Sequence, residues 1–162
     1  MKFGRAFLAG VLGGVLMSLL LWSAQDGFAM PASLSLMLGT MIGLEPFAIG
    51  TAVAGQAMHL AIAGAIGVTY AWIFERRRSH FEGIFSGALF GLAHAGIAGL
   101  VLLAVPAVHP MIPESLAPVG PFMSRLGVEG VAAFILLHLI YGATVGSIYA
   151  PAILRRHTVT TA

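Results

Sequence analysis

The sequence predicts an all-α membrane protein: four transmembrane helices arranged as two parallel helical-hairpin repeats, with short interfacial helices in the outer loops. Three observations predict this. Only 9% of the residues are charged and 59% are hydrophobic, whereas a soluble domain carries roughly 25% charged residues to cover its surface. Apolar runs of about 20 residues recur, the length a helix needs to cross the hydrocarbon core. Finally, two of those runs repeat one another in register. The runs lack the polar–apolar alternation of outer-membrane strands, so a β-barrel is excluded. At 162 residues and a mean hydropathy of +0.97, the chain reads as one transmembrane domain, residues 1–162.

The first span is Phe3 to Ala24. Its basic start (Lys2, Arg5) also suits a secretory signal, but the run is long for one and Trp22-Ser23-Ala24 is a poor cleavage site, so a permanent helix is expected. Gly10, Gly14 and Ser18 form a ridge of small residues that lets another helix approach closely. Gln25 to Gly50 is the first outer loop. Within it, Met30 to Gly43 is apolar but too short to span, and Pro31 followed by Ser33 suits a helix start.

The second span, Thr51 to Phe74, ends at Glu75 and Arg76–Arg78, and the third runs from Gly83 to about Val108, with Pro106 expected to disturb its last turn. A Pro-rich outer loop with an amphipathic end covers His109 to Gly127, where Arg125 and Glu129 are spaced for an interfacial ion pair. The fourth span, Val128 to about Ala150, is closed by Pro151 and Arg155–Arg156.

Charge sets the orientation. Lys2, Arg5, Arg76–Arg78, Arg155 and Arg156 fall on one side and only Arg125 on the other. The positive-inside rule then predicts a multi-pass protein of the bacterial inner membrane with both termini cytoplasmic. Trp22 falls at the outer interface, and Tyr70, Trp72 and Tyr149 at the inner one, as an aromatic belt. Basic residues so placed report topology and leave no patch for nucleic acid; the expected partners are membrane lipid and a homodimer or larger membrane complex.

The internal repeat is read at a spacing of 79 residues: His59 over His138, Leu60 over Leu139, Gly67 over Gly146, Tyr70 over Tyr149, and Arg76–Arg77 over Arg155–Arg156. The first and third spans match more weakly, Phe7 with Phe85 and Gly13 with Gly91, and the outer loops share MPASL and IPESL. Repeat 1 covers about 3–78 and repeat 2 about 81–157. Both halves begin on the same side, which makes the repeat parallel, with a pseudo-two-fold axis along the membrane normal.

The chemistry-bearing residues of the spans are histidines. His59 and His138 lie at matched depth, roughly 12 to 15 Å in from the outer end at 1.5 Å per residue. His94 lies slightly deeper and has no counterpart, since Leu16 occupies the matching position. Each sits on a small-residue ridge: Gly55–His59–Ala63–Gly67, Gly87–Gly91–His94–Ala98 and His138–Gly142–Gly146. Such ridges face other helices, so the imidazoles are expected to point inward. An ionisable group at that depth marks a site or pathway.

His59, His94 and His138 are therefore candidate ligands for a transition metal (Cu, Zn, Fe), and His59 and His138 for the iron of haem b, with the flanking glycines making room for the macrocycle. The plainer alternative is that each neutral histidine bonds a carbonyl or hydroxyl of a neighbouring helix. His109 and Met111, near Glu114 and Met123 in the second outer loop, form a weaker copper-type group beside a purely structural reading. His80 and His157 read as solvated.

Several classes are excluded. Cysteine is absent, which removes disulfides and thiolate ligands. No phosphate-binding glycine loop, His-Glu-x-x-His or Gly-x-Ser-x-Gly occurs. No acidic pair lies within a span, which disfavours a carboxylate-driven pump.

With His59 in the second span, His94 in the third before a Pro-rich loop, and His138 in the fourth, the layout resembles bacterial inner-membrane families of the YagU type and related four-helix domains of unknown function. The resemblance implies a polytopic inner-membrane protein and no particular activity. Whether the chain is an enzyme stays open. The favoured reading is a histidine cluster binding metal or haem for redox or metal handling; the alternatives are an accessory subunit with helix-joining histidines, and a small transporter or channel.

Overall fold

A computed structural model describes residues 2–28, 33–46, 48–74 and 79–159. Met30, Pro31 and Arg76–Arg78 lie outside the described residues, as do the side chains of His80, Arg155, Arg156 and His157. The described chain is helical without a strand. It comprises α1 (Phe3–Phe28), α2 (Leu34–Met41), α3 (Ile49–Phe74), α4 (His80–Val108), a short 3-10 segment (Pro121–Leu126) and α5 (Gly127–Val159). Four of these helices are long and apolar enough to cross a membrane. Nothing in hydrocarbon replaces a missing backbone hydrogen bond, so only a continuous helix can satisfy such runs.

Helix starts follow local chemistry. Ser33 caps α2 by accepting from Leu36 N–H at 3.1 Å, and Ser79 caps α4 by accepting from Glu82 N–H at 3.1 Å. The buried Thr51 hydroxyl donates to the Glu45 carbonyl at 2.5 Å and ties the start of α3 to the preceding turn. Pro106 leaves α4 intact, because in the last turn its missing N–H forfeits one bond only; His109 N–H still reaches Val105 O at 2.9 Å.

Three boundaries differ from expectation. Helix α1 runs on to Phe28, past the expected loop start at Gln25. Helix α5 continues beyond Pro151 to Val159, since a proline removes one bond of the ladder without ending the helix. Arg125 and Glu129 are not one helical turn apart, because Gly127 at φ 80 separates the 3-10 segment from α5.

Small residues decide the packing. Lipid is as apolar as leucine, so helices join where backbones can approach closely. Gly87 abuts the Gly142 carbonyl, Gly91 that of His138, and Gly146 that of Gly83, so α4 and α5 lie backbone to backbone. Gly10 abuts the Ala63 carbonyl, and Gly67 that of Ala6, joining α1 to α3. Helix α2 docks on α3 through Gly39 against Thr51 and Gly55 against the Ser35 carbonyl. The Tyr141 ring of α5 covers Gly13 of α1. By contrast α3 meets α4 only lightly. The outward faces carry Leu12, Leu19, Ile62, Leu89, Ile97 and Leu100, all well exposed, an apolar surface far beyond that of a soluble monomer.

Two buried clusters fill the bundle. One holds Ala6, Ala63, Tyr70, Phe74, Tyr141 and Tyr149, and the other Leu21, Ala95, Met123, Phe134 and Leu137. The aromatic-belt expectation is thereby corrected. Trp72 is 68% exposed on the outside, but Tyr70 (4%) and Tyr149 (1%) face inward, because Gly67 and Gly146 bring α1 and α4 close enough for those faces to be enclosed.

Candidate functional site

The histidines lie where the two buried clusters meet. Gly91 lets α4 press on the backbone of His138, and His94, one turn further along, comes beside the His138 ring. The two ring centroids are 4.9 Å apart at 77°. His138 is buried, and its Nδ1 lies 2.7 Å from the Phe134 carbonyl. A carbonyl only accepts, so the proton is on Nδ1 and the Nε2 lone pair is unused.

His59 is arranged the other way. Ser18 Oγ accepts from Gln56 Nε2 at 2.9 Å and lies 3.0 Å from His59 Nδ1. Ser18 thus joins the Gln56 amide to the His59 ring. The matched histidines differ in partner: His138 turns to a carbonyl of its own helix and His59 to a hydroxyl of α1.

An aromatic wall adjoins His94. The Tyr70 ring lies 6.4 Å from His94, 5.8 Å from Tyr141 and 6.0 Å from Phe90, and Tyr141 lies 5.9 Å from His94. Tyr141 donates its hydroxyl proton to the Ala63 carbonyl at 2.5 Å. Two buried polar atoms in this group have no hydrogen-bond partner, Tyr70 Oη and His94 Nδ1. Both belong to the same cluster of rings, while His59, His138 and Tyr141 each have a protein partner.

The structure therefore brings His94 and His138 into contact and adds Tyr70 and Tyr141, and it hydrogen-bonds His59 to Ser18, which also accepts from Gln56. Among the described residues no three His, Asp or Glu side chains form a group able to hold a metal ion. The room expected for a haem is filled: Gly55 lies on the Ser35 carbonyl, Gly91 on that of His138 and Gly142 on that of Gly87.

His109 is buried, and both of its nitrogens are engaged. Nδ1 accepts from Met111 N–H at 3.1 Å, so Nε2 carries the proton and faces the Met37 carbonyl at 3.0 Å and Thr40 Oγ1 at 3.2 Å. The one ring lone pair, on Nδ1, is taken up by the Met111 N–H and is not free for a metal. Met111 contributes its backbone to this arrangement, and the pair acts as a tie between the end of α4 and α2.

Sequence reasoning missed Gln56 and Tyr70. Gln56 is the amide one turn before His59, a polar residue in a span and therefore a visible signal. Tyr70 was hidden by its place near the end of a span, where a tyrosine ordinarily meets headgroups.

No protein-family model, curated protein or solved structure matches the chain. The fold by itself defines the class: a multi-pass helical membrane protein, judged by the length and composition of its four long helices.

Proposed function

We propose that this is a multi-pass inner-membrane protein that binds a small hydrogen-bonding ligand within the bundle, at the site formed by Tyr70, His94, His138 and Tyr141. One observation carries the reading: Tyr70 Oη and His94 Nδ1 are both buried without partners in one cluster. A buried unpaired polar group costs about 1–3 kcal/mol, and hydrocarbon offers no relief. Two such atoms in one cluster of rings, where His138 and Tyr141 each have a protein partner, are the signature of a place kept for a guest. The unused Nε2 lone pair of His138 adds an acceptor nearby. The metal form of this reading retains only His94 and His138 as adjoining ligands.

The two-repeat organisation rests on the 79-residue match between the second and fourth spans, whose equivalent glycines both meet a helix backbone, Gly67 that of Ala6 on α1 and Gly146 that of Gly83 on α4. Orientation with both termini cytoplasmic rests on the distribution of basic residues.

Melting of Tyr70→Phe beside the parent protein in bilayer nanodiscs tests the site, with native mass spectrometry and elemental analysis of both. The substitution keeps the ring and removes only the hydroxyl. A guest held by that hydroxyl makes the variant less stable and depletes the bound species. A variant more stable by about 1–3 kcal/mol, with no mass lost, means the hydroxyl was unpaired in an empty core, and the proposal fails.

A further inference from the structure

The geometry points to the ligand class and its route: a membrane-soluble molecule with a flat, neutral, oxygen-bearing head, of the quinone type, entering sideways between α3 and α4. This deepens the reading above and rests on it.

Three seams of the bundle are closed by close packing. Helices α4 and α5 are joined at Gly87, Gly91, Gly142 and Gly146, α1 and α3 at Gly10 and Gly67, and α1 and α5 where Gly13 meets both the ring and the backbone carbonyl of Tyr141. None can open without separating helices. The fourth seam is different. Helices α3 and α4 touch lightly, and what spans the gap is side chains: Tyr70 of α3 against Phe90 and His94 of α4. Phe90 and His94 are half-buried, and Leu89 and Leu92 on the adjoining face of α4 are exposed to the surroundings of the bundle. A barrier of aromatic rings can move by rotation about χ angles alone, which backbone contacts cannot.

The chemistry of the site selects the head group. The unpaired Tyr70 hydroxyl donates to an oxygen, and the unpaired His94 Nδ1 supplies a second hydrogen-bonding position. The walls are rings, Tyr70, Phe90 and Tyr141, which favour a flat π-system at 4.5–7 Å centroid spacing. No Asp, Glu, Lys or Arg lies among these residues to meet a charge. An apolar tail would remain in the bilayer beside α3 and α4.

The chain has only two tryptophans, so Trp22→Phe and Trp72→Phe give a dark background in which Phe90→Trp reports the seam. Proteoliposomes of this protein are titrated with decylubiquinone and, separately, with its tail-less, water-soluble analogue ubiquinone-0. We expect saturable quenching by decylubiquinone, weakened about tenfold by Tyr70→Phe or His94→Phe, as the loss of one hydrogen bond requires. Circular dichroism of each variant without quinone establishes that it is folded. Quenching that rises linearly and identically in folded parent and variants overturns the quinone assignment. Saturation by ubiquinone-0 at lower concentration than by decylubiquinone overturns the sideways route. The underlying site is judged separately by the Tyr70→Phe melting: loss of stability there with linear quenching here removes the ligand class and leaves the site standing.

Discussion

Tyr141 of α5 reaches across the bundle to the carbonyl oxygen of Ala63 on α3 with an O···O distance of 2.5 Å. The contact joins the two hairpins at their centre, and the same ring covers Gly13 of α1. Tyr141→Phe removes the bond and keeps the ring, so a loss of about 0.6 kcal/mol, the average for such bonds in membranes, is expected. Tyr141→Ala also leaves a cavity and should cost about 3–5 kcal/mol by analogy with other large aromatic truncations. Unfolding followed by circular dichroism in SDS–detergent mixtures checks both values; equal losses would mean that the ring has no packing role.

Gly142 and Gly87 occupy each other's Cβ positions. Gly142→Leu forces a side chain against the backbone of α4 and cannot be relieved by rotamer change. The expected result is separation of α4 from α5 and a loss of about 3 kcal/mol or more, read as new reactivity of a cysteine introduced at Ala95, in a chain with none of its own. Gly96→Leu is the control, because nothing stands within 4 Å of a Cβ there; it should leave that cysteine protected.

Ser18 is the hinge of the His59 chain. Ser18→Ala leaves both His59 Nδ1 and the Gln56 amide without their partner, at a cost of about 1–3 kcal/mol. Gln56→Leu takes away one donor and leaves the Ser18–His59 bond, so its effect should be smaller. A double-mutant cycle measures the coupling; strict additivity would exclude a shared network.

His109 holds α2 to the end of α4 through Met37 and Thr40. His109→Ala should release α2, raising amide exchange across Leu34–Met41 while α4 and α5 keep their protection. Added copper or zinc should not alter the melting of the parent protein through His109, because both of its nitrogens are occupied. A metal-dependent shift abolished by His109→Ala would overturn that assignment.

Gly99 lies beneath the Phe122 ring, whose residue adopts φ 53, a left-handed backbone that a bulky residue rarely holds. Gly99→Val should expel the ring and destabilise the outer loop by about 1–3 kcal/mol, seen as earlier proteolysis at Pro121–Leu126. Unchanged cleavage would mean that the ring does not depend on the glycine.

The four long helices, their approximate ends and the inward aim of the histidines were legible because each follows from a local rule. A run of apolar residues must become a helix in lipid, and a small-residue ridge must face another helix. Ser33 was readable as a helix start for the same reason. The partners of each imidazole were not legible. His59 and His138 stand at matched positions, yet one meets Ser18 of another helix and the other the Phe134 carbonyl of its own. Tyr70 was placed at the interface by its position in the span, and the close approach at Gly67 turned it inward instead.

By itself the sequence determined a membrane-type composition, four spans and three histidines within them, since these depend on hydropathy and on the spacing of residues along single helices. The tertiary structure alone decided that His94 meets His138 and Tyr70 while His59 bonds to Ser18. It also decided that the glycines bring backbones together where space for a macrocycle was expected. The physical reason is that tautomer, hydrogen-bond partner and void all depend on which helix face lies opposite, and that is a property of packing between segments far apart in the chain.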